Sequence, residues 1–93
     1  MGNSYRDLVV WQKSMELTKK IYTITKDFPK EEVYGLTSQI RRSAVSIPSN
    51  IAEGKGRNSD KEFVRFLQIS LGSLYELQTQ FELALSFNYV SNI

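Results

Sequence analysis

The stretch Gln39-Ile40-Arg41-Arg42-Ser43-Ala44-Val45-Ser46-Ile47-Pro48-Ser49-Asn50-Ile51-Ala52-Glu53-Gly54 decides the fold. With Thr37 ahead of it, Ile40, Ala44, Ile47 and Ile51 fall at 3-4-3-4 spacing, one face of an α-helix. Pro48 lies inside that pattern. A mid-helix proline removes the bond from its own nitrogen to the Ala44 carbonyl and crowds that carbonyl, at a cost of about 3 kcal/mol. Burial on both sides is the expected compensation, so the stretch is read as a kinked central helix. Ser43, Ala44, Ser46, Ser49 and Ala52 are small and let neighbouring backbones approach. Asn50 and Glu53 are polar in this setting and are expected to bond the freed carbonyl or a neighbouring helix. A solvent-facing position and a ligand contact are the alternatives. Gly54 is expected to end the helix as a left-handed cap.

Outward from this centre, the sequence predicts an all-α, antiparallel up-down bundle in a single domain, residues 1–93, with helices at about 5–27, 34–53 and 60–87. Ser4 with Asp7 three residues on resembles a capping box. Leu8, Trp11, Met15, Thr18, Tyr22 and Thr25 form one stripe of the first helix. Val10, Ser14, Leu17, Ile21, Ile24 and Phe28 form an adjoining one, so this helix touches two neighbours. Phe28-Pro29 stops it. Ser59-Asp60-Lys61-Glu62 marks Ser59 as the N-cap of the third helix. The main stripe there is Phe63, Leu67, Ser70, Leu74, Leu77, Phe81 and Ala84. Phe66, Ile69, Leu71, Tyr75 and Leu85 widen it around much of the circumference. Gly72, costing about 1 kcal/mol against alanine in mid-helix, suggests close packing beneath a large side chain such as Trp11. Asn88 reads as a turn and Ser91-Asn92 as a cap signal.

The composition excludes much chemistry. The chain has no cysteine and no histidine, so disulfides, Ser-His-Asp and Cys-His nucleophiles and the usual zinc ligands are out. Glu53, Glu76 and Glu82 are carboxylates that could act in pairs, but spacing alone does not bring them together, and surface or capping roles are expected. The glycines of Gly54-Lys55-Gly56 lack the pattern of a phosphate loop. No enzyme activity, metal or cofactor is expected. No run approaches the ~20 apolar residues of a membrane span, and the N-terminus lacks a signal-peptide pattern. The expected location is cytoplasmic.

The net charge of +2 is unevenly spread. Residues 41–65 hold six bases against three acids, and the rest of the chain sums to −1. Arg41, Arg42, Lys55 and Arg57 are therefore candidate contacts for RNA or DNA phosphates. A solvated loop between helices is the plain alternative. Adjacent helix positions point about 100° apart, so Arg41 is expected to pack its stem along an interface while Arg42 stays free.

Several runs together resemble one family. They are Leu8-Val9-Val10-Trp11-Gln12-Lys13, Phe28-Pro29, Tyr34 to Arg42, Ser46 to Gly54 and Gly72-Ser73-Leu74-Tyr75-Glu76-Leu77. The chain resembles the bacterial four-helix-bundle proteins encoded in intervening sequences of 23S rRNA genes, to which the accessory variability protein of diversity-generating retroelements is related. The resemblance implies a four-helix bundle, often a homopentamer, with no known enzyme activity. Family members continue with a fourth helix after the position of Ile93. The expected function is thus a non-enzymatic, self-assembling module, with an RNA- or DNA-binding accessory protein as the alternative. Apolar residues on several sides of the third helix predict that it packs against other copies of the chain.

Overall fold

The computed structural model describes residues 4–90, so the Ser91-Asn92 cap signal lies outside the described residues. Among the described residues, three α-helices make up an all-α bundle: α1 (Val9–Thr25), α2 (Leu36–Lys55) and α3 (Asp60–Ser86). The pairing is antiparallel. Thr18 meets Ala44 while Thr25 meets Arg41. On the other side Ser43 meets Gln80, Ser46 meets Ser73 and Ser70 meets the Ile47 carbonyl. As numbers rise on one helix they fall on its neighbour.

α2 is the centre. Ile40, Ala44, Ile47 and Ile51 are buried on the predicted face, and with Ile21, Phe28, Leu36, Leu77 and Ala84 they form the core. Burying an isoleucine side chain contributes about 1.5–3 kcal/mol, so this face holds the bundle together. Along the α2–α3 contact the serines do what small residues are expected to do. Ser43, Ser46, Ser70 and Ser73 are small enough for close approach, and their hydroxyls bond across the seam.

Pro48 is buried inside α2 and the helix runs on through it. The carbonyl that the proline leaves without a donor shares the single proton of a hydroxyl on another helix. The Thr18 hydroxyl of α1 lies 3.1 Å from the Ala44 oxygen and 2.8 Å from the Ser14 oxygen of its own helix. The two residues expected to do this do something else. Asn50 Nδ2 donates to the Ser46 carbonyl and hydroxyl, and Glu53 is exposed and pairs with Arg57 at 2.8 Å.

Two glycine expectations are overturned. Gly54 is not the cap of α2: it lies within the helix, which ends at Lys55, and no described glycine has positive φ. Its role is close approach, since a Cβ there would stand 2.5 Å from the Phe66 Cβ. The left-handed conformations fall on Asn58 (φ 55°) and Asn88 (φ 64°), because a short polar side chain also tolerates that region. Gly72 packs beneath nothing. It is exposed and a Cβ there would meet no atom within 4 Å. Trp11 lies instead against Tyr5, with ring centroids 5.1 Å apart.

Helix ends shift for local reasons. Ser4 caps a short 3₁₀ turn, Tyr5–Asp7, by accepting from the Arg6 N–H, and Leu8 is extended before α1 begins at Val9. Tyr34, expected in the second helix, stands outside it and is 96% exposed. Ser59 is the N-cap of α3, accepting from the Glu62 N–H at 3.3 Å. At the far end of α3, Asn88 turns the chain and the Tyr89 N–H donates to the Ala84 carbonyl at 2.9 Å, the bond of a Schellman cap.

The bundle is open on one side. α2 packs on both other helices, whereas no Cα of α1 comes within 8 Å of one of α3. Between them runs a cleft of about 600 Å³ whose apolar walls are Leu17, Ile21 and Ile24 facing Leu74, Leu77 and Phe81. Leu71 and Tyr75 on α3 are exposed as well. The Cα radius of gyration is 14.7 Å, against about 12 Å for a compact domain of this length.

Candidate functional site

The four candidate phosphate contacts do not gather in one place. Arg41 and Arg42 sit in the second turn of α2 and Lys55 at its last residue. Fourteen residues at 1.5 Å per residue separate Arg41 from Lys55 by about 21 Å.

At the α2–α3 turn the bases are locally matched. Arg57 pairs with Glu53 and its guanidinium lies 5.2 Å from the Phe66 ring centre. Arg65 pairs with Glu62 at 3.2 Å, and its hydrogen bond holds the Glu62 carboxyl below the ordinary value. Lys55 lies over the Phe63 ring at 5.8 Å. Each of these three cations has an acid or a ring as neighbour, and exposed pairs of this kind are worth little to stability.

Arg41 and Arg42 have different surroundings. Arg41 donates from Nε to the Thr25 hydroxyl at 2.8 Å and from Nη2 to the Tyr22 carbonyl at 3.3 Å, and it stacks on the Tyr22 ring at 4.6 Å. Thr25 is 2% exposed, so the anchor is buried. Arg42 is exposed and stands on the ridge between two clefts, one toward α1 and one toward α3. Beside these two bases the structure sets Lys26 and Lys30, which the sequence did not single out. Lys26 follows α1 and Lys30 opens a 3₁₀ turn, Lys30–Glu32. They line a cleft with Arg41. The signal was present as basic residues flanking the predicted Phe28-Pro29 stop, but only the antiparallel return of α2 brings them to Arg41.

Among the described residues, no group of three or more His, Cys, Asp or Glu side chains could hold a metal ion. No helix among the described residues is long and apolar enough to cross a membrane.

The model of the family described as 23S rRNA-intervening sequence protein matches residues 6–93. The chain belongs to this family. A search of curated proteins returns no match. Several of the residues that carry the family resemblance build the bundle. Ile47, Pro48, Ile51 and Gly54 are buried, and Ser46 and Ser73 bond across the α2–α3 seam.

Proposed function

We propose that this member of the 23S rRNA-intervening sequence protein family is a non-enzymatic, self-assembling helical module of the cytoplasm. The observation that carries the reading is the apolar cleft between α1 and α3. Its six apolar walls come from both helices, and the exposed Leu71 and Tyr75 extend the apolar face of α3. Soluble monomers rarely leave such a surface open beyond a few hundred Å², so association with further copies is the expected outcome. The pentamer implied by the family resemblance is the stoichiometry proposed. A residue inventory without histidine or cysteine supports a role that is not catalytic. Sedimentation equilibrium across the micromolar range tests the reading. A concentration-dependent rise to a defined oligomer is expected. A monomer throughout, with no binding of an apolar-surface dye, overturns it.

The alternative reading, an RNA- or DNA-binding accessory protein, draws support from one feature. Arg41 and Arg42 line a cleft that no carboxylate lines, whereas Lys55 and Arg57 belong to a turn whose cations have acid or ring neighbours. Salt-sensitive binding of an oligonucleotide tests it.

A further inference from the structure

Two clefts meet on the outer side of the α1–α2 pair. One, of about 390 Å³, has Lys26, Lys30 and Arg41 in its walls with Thr25 and Thr37. The other, of about 540 Å³, has Arg41, Arg42, Tyr22 and Val45. Val33, Thr37 and Arg41 line both, so the two form one continuous surface. Four cations line it and no carboxylate does. Asp27 and Glu31, beside Lys26 and Lys30 in sequence, line neither cleft.

Arg41 is already held in place for a ligand. Its Nε and one Nη2 hydrogen are bound to Thr25 and Tyr22, and those two bonds leave three of a guanidinium's five N–H groups. Because the side chain is pinned, binding an anion there does not first have to order it. Arg42, Lys26 and Lys30 are exposed. No one cleft holds all four cations: Lys26 and Lys30 line one, Arg42 lines the other, and Arg41 lines both. That arrangement suits a chain of phosphates better than a single one. Tyr34, 96% exposed, lines the neighbouring cleft together with Arg42. An open aromatic face beside a backbone-binding cation is how proteins hold unpaired bases. Glu76 is the carboxylate of that third cleft, on its far wall in α3.

We infer that this double cleft binds single-stranded nucleic acid, with Lys26, Lys30, Arg41 and Arg42 on successive phosphates and Tyr34 stacking on a base. The inference rests on the nucleic-acid reading above and replaces Lys55 and Arg57 with Lys26 and Lys30.

The test is fluorescence anisotropy of a labelled single-stranded oligonucleotide of mixed sequence, titrated with the full chain at low and high salt. The variants are Arg42→Glu, Lys26→Glu with Lys30→Glu, Tyr34→Ala, and Lys55→Glu with Arg57→Glu as comparison. Five of the six positions are exposed and Lys55 is half-buried, and circular dichroism melts check that each variant folds. Arg42→Glu and the Lys26/Lys30 pair are each expected to weaken low-salt binding about tenfold or more. Each should also flatten the salt dependence, because log K falls by about 0.7 per phosphate contact for each unit of log salt. Tyr34→Ala should weaken binding and leave the salt slope unchanged. The Lys55/Arg57 pair should bind as the parent does. If the parent chain binds no oligonucleotide at low salt, the nucleic-acid reading itself fails. If it binds, but the Lys55/Arg57 pair loses as much as the Lys26/Lys30 pair, the reading stands and this site is overturned. Equal affinity for poly-glutamate would likewise overturn it, as the surface would then read negative charge alone.

Discussion

Gly54 and Gly72 both lie within helices, and their environments predict opposite responses to the same substitution. A methyl group at Gly54 meets Phe66 Cβ at 2.5 Å and Phe63 at 3.3 Å. Gly54→Ala must therefore push α3 away and is expected to cost about 1–3 kcal/mol, as overpacking does. At Gly72 the space is open, so Gly72→Ala gains helix propensity, up to about 1 kcal/mol. Thermal melts should move down for the first and up for the second, by about 4–8 °C per kcal/mol at this size; shifts in the same direction would refute the assignment. The sequence showed two glycines in helical patterns but not which one faced a partner. That distinction is tertiary, set by where α3 crosses α2. Pro48 was legible in the same partial way. Its position and burial followed from the 3-4 pattern, and its missing bond followed from its chemistry. The donor, Thr18, lies on another helix in a stripe read as apolar, so no local spacing could reveal it. Thr18→Val should cost about 1–2 kcal/mol by orphaning the Ala44 carbonyl, while Thr18→Ser keeps the hydroxyl and most of the stability. Because Thr18 already serves that carbonyl, Pro48→Ala should gain much less than about 3 kcal/mol.

Elements are joined at their ends as well as along their faces. The chain after α3 is tied to the α1–α2 connection by Tyr89, whose hydroxyl donates to Glu32 Oε2 at 2.8 Å. Its ring packs on Phe28 at 5.6 Å between centroids. The other oxygen of Glu32 accepts from the Leu36 N–H at 2.9 Å, at the start of α2. The Leu36 N–H and then the Tyr89 hydroxyl hold the Glu32 carboxyl below its ordinary 4.5. The same pairing with Glu32 raises the Tyr89 phenol above its ordinary 10.0. A depressed carboxyl contributes stability above its unfolded pKa and loses it as pH falls through the folded one. A raised phenol contributes below its unfolded pKa and loses it as pH climbs through the folded one. The latch thus contributes in full between about pH 4.5 and pH 10, and its contribution is lost as pH falls below the first or climbs above the second. In melts across pH, Glu32→Gln should lie farthest below the parent near neutrality and converge on it in acid. Tyr89→Phe should converge on it in alkali. A constant gap at every pH would show that neither ionisation matters. The helices themselves were legible, with α3 beginning at the predicted Ser59 cap. The ends were not, because Tyr34, Lys26 and Asp27 continue a helical pattern in sequence while turn geometry takes them out of the helix. The latch joins residues 57 positions apart and has no sequence signature.

At the scale of the whole molecule, the open side between α1 and α3 is the surface on which the proposed assembly depends. Ile24 is the informative position there. It lines the cleft, yet it is 37% exposed, so a charge placed on it remains hydrated in a single copy. Lys20 stands one helical turn earlier and lines the same cleft. A glutamate at position 24 would sit at i+4 from that lysine, a pair that contributes up to about 0.5 kcal/mol to an exposed helix, though better with the acid first. Ile24→Glu should therefore leave the melting of the single chain nearly unchanged. In an assembly the same side chain would be carried into an apolar contact, where an unpaired carboxylate is strongly unfavourable. The expected result is a shift from oligomer to monomer in sedimentation equilibrium, with a gain in binding of an apolar-surface dye as the cleft is uncovered. Leu74→Glu, on the opposite wall, should also dissociate the proposed assembly, and because Leu74 is half-buried against the core it should lower the melting of the single chain as well. If either variant sediments as the parent oligomer does, the cleft is not the surface through which copies meet. Assembly would then have to use another face, such as the outer ridge of α2 that carries Arg42, and the charge-reversal Arg42→Glu would become the variant that dissociates it.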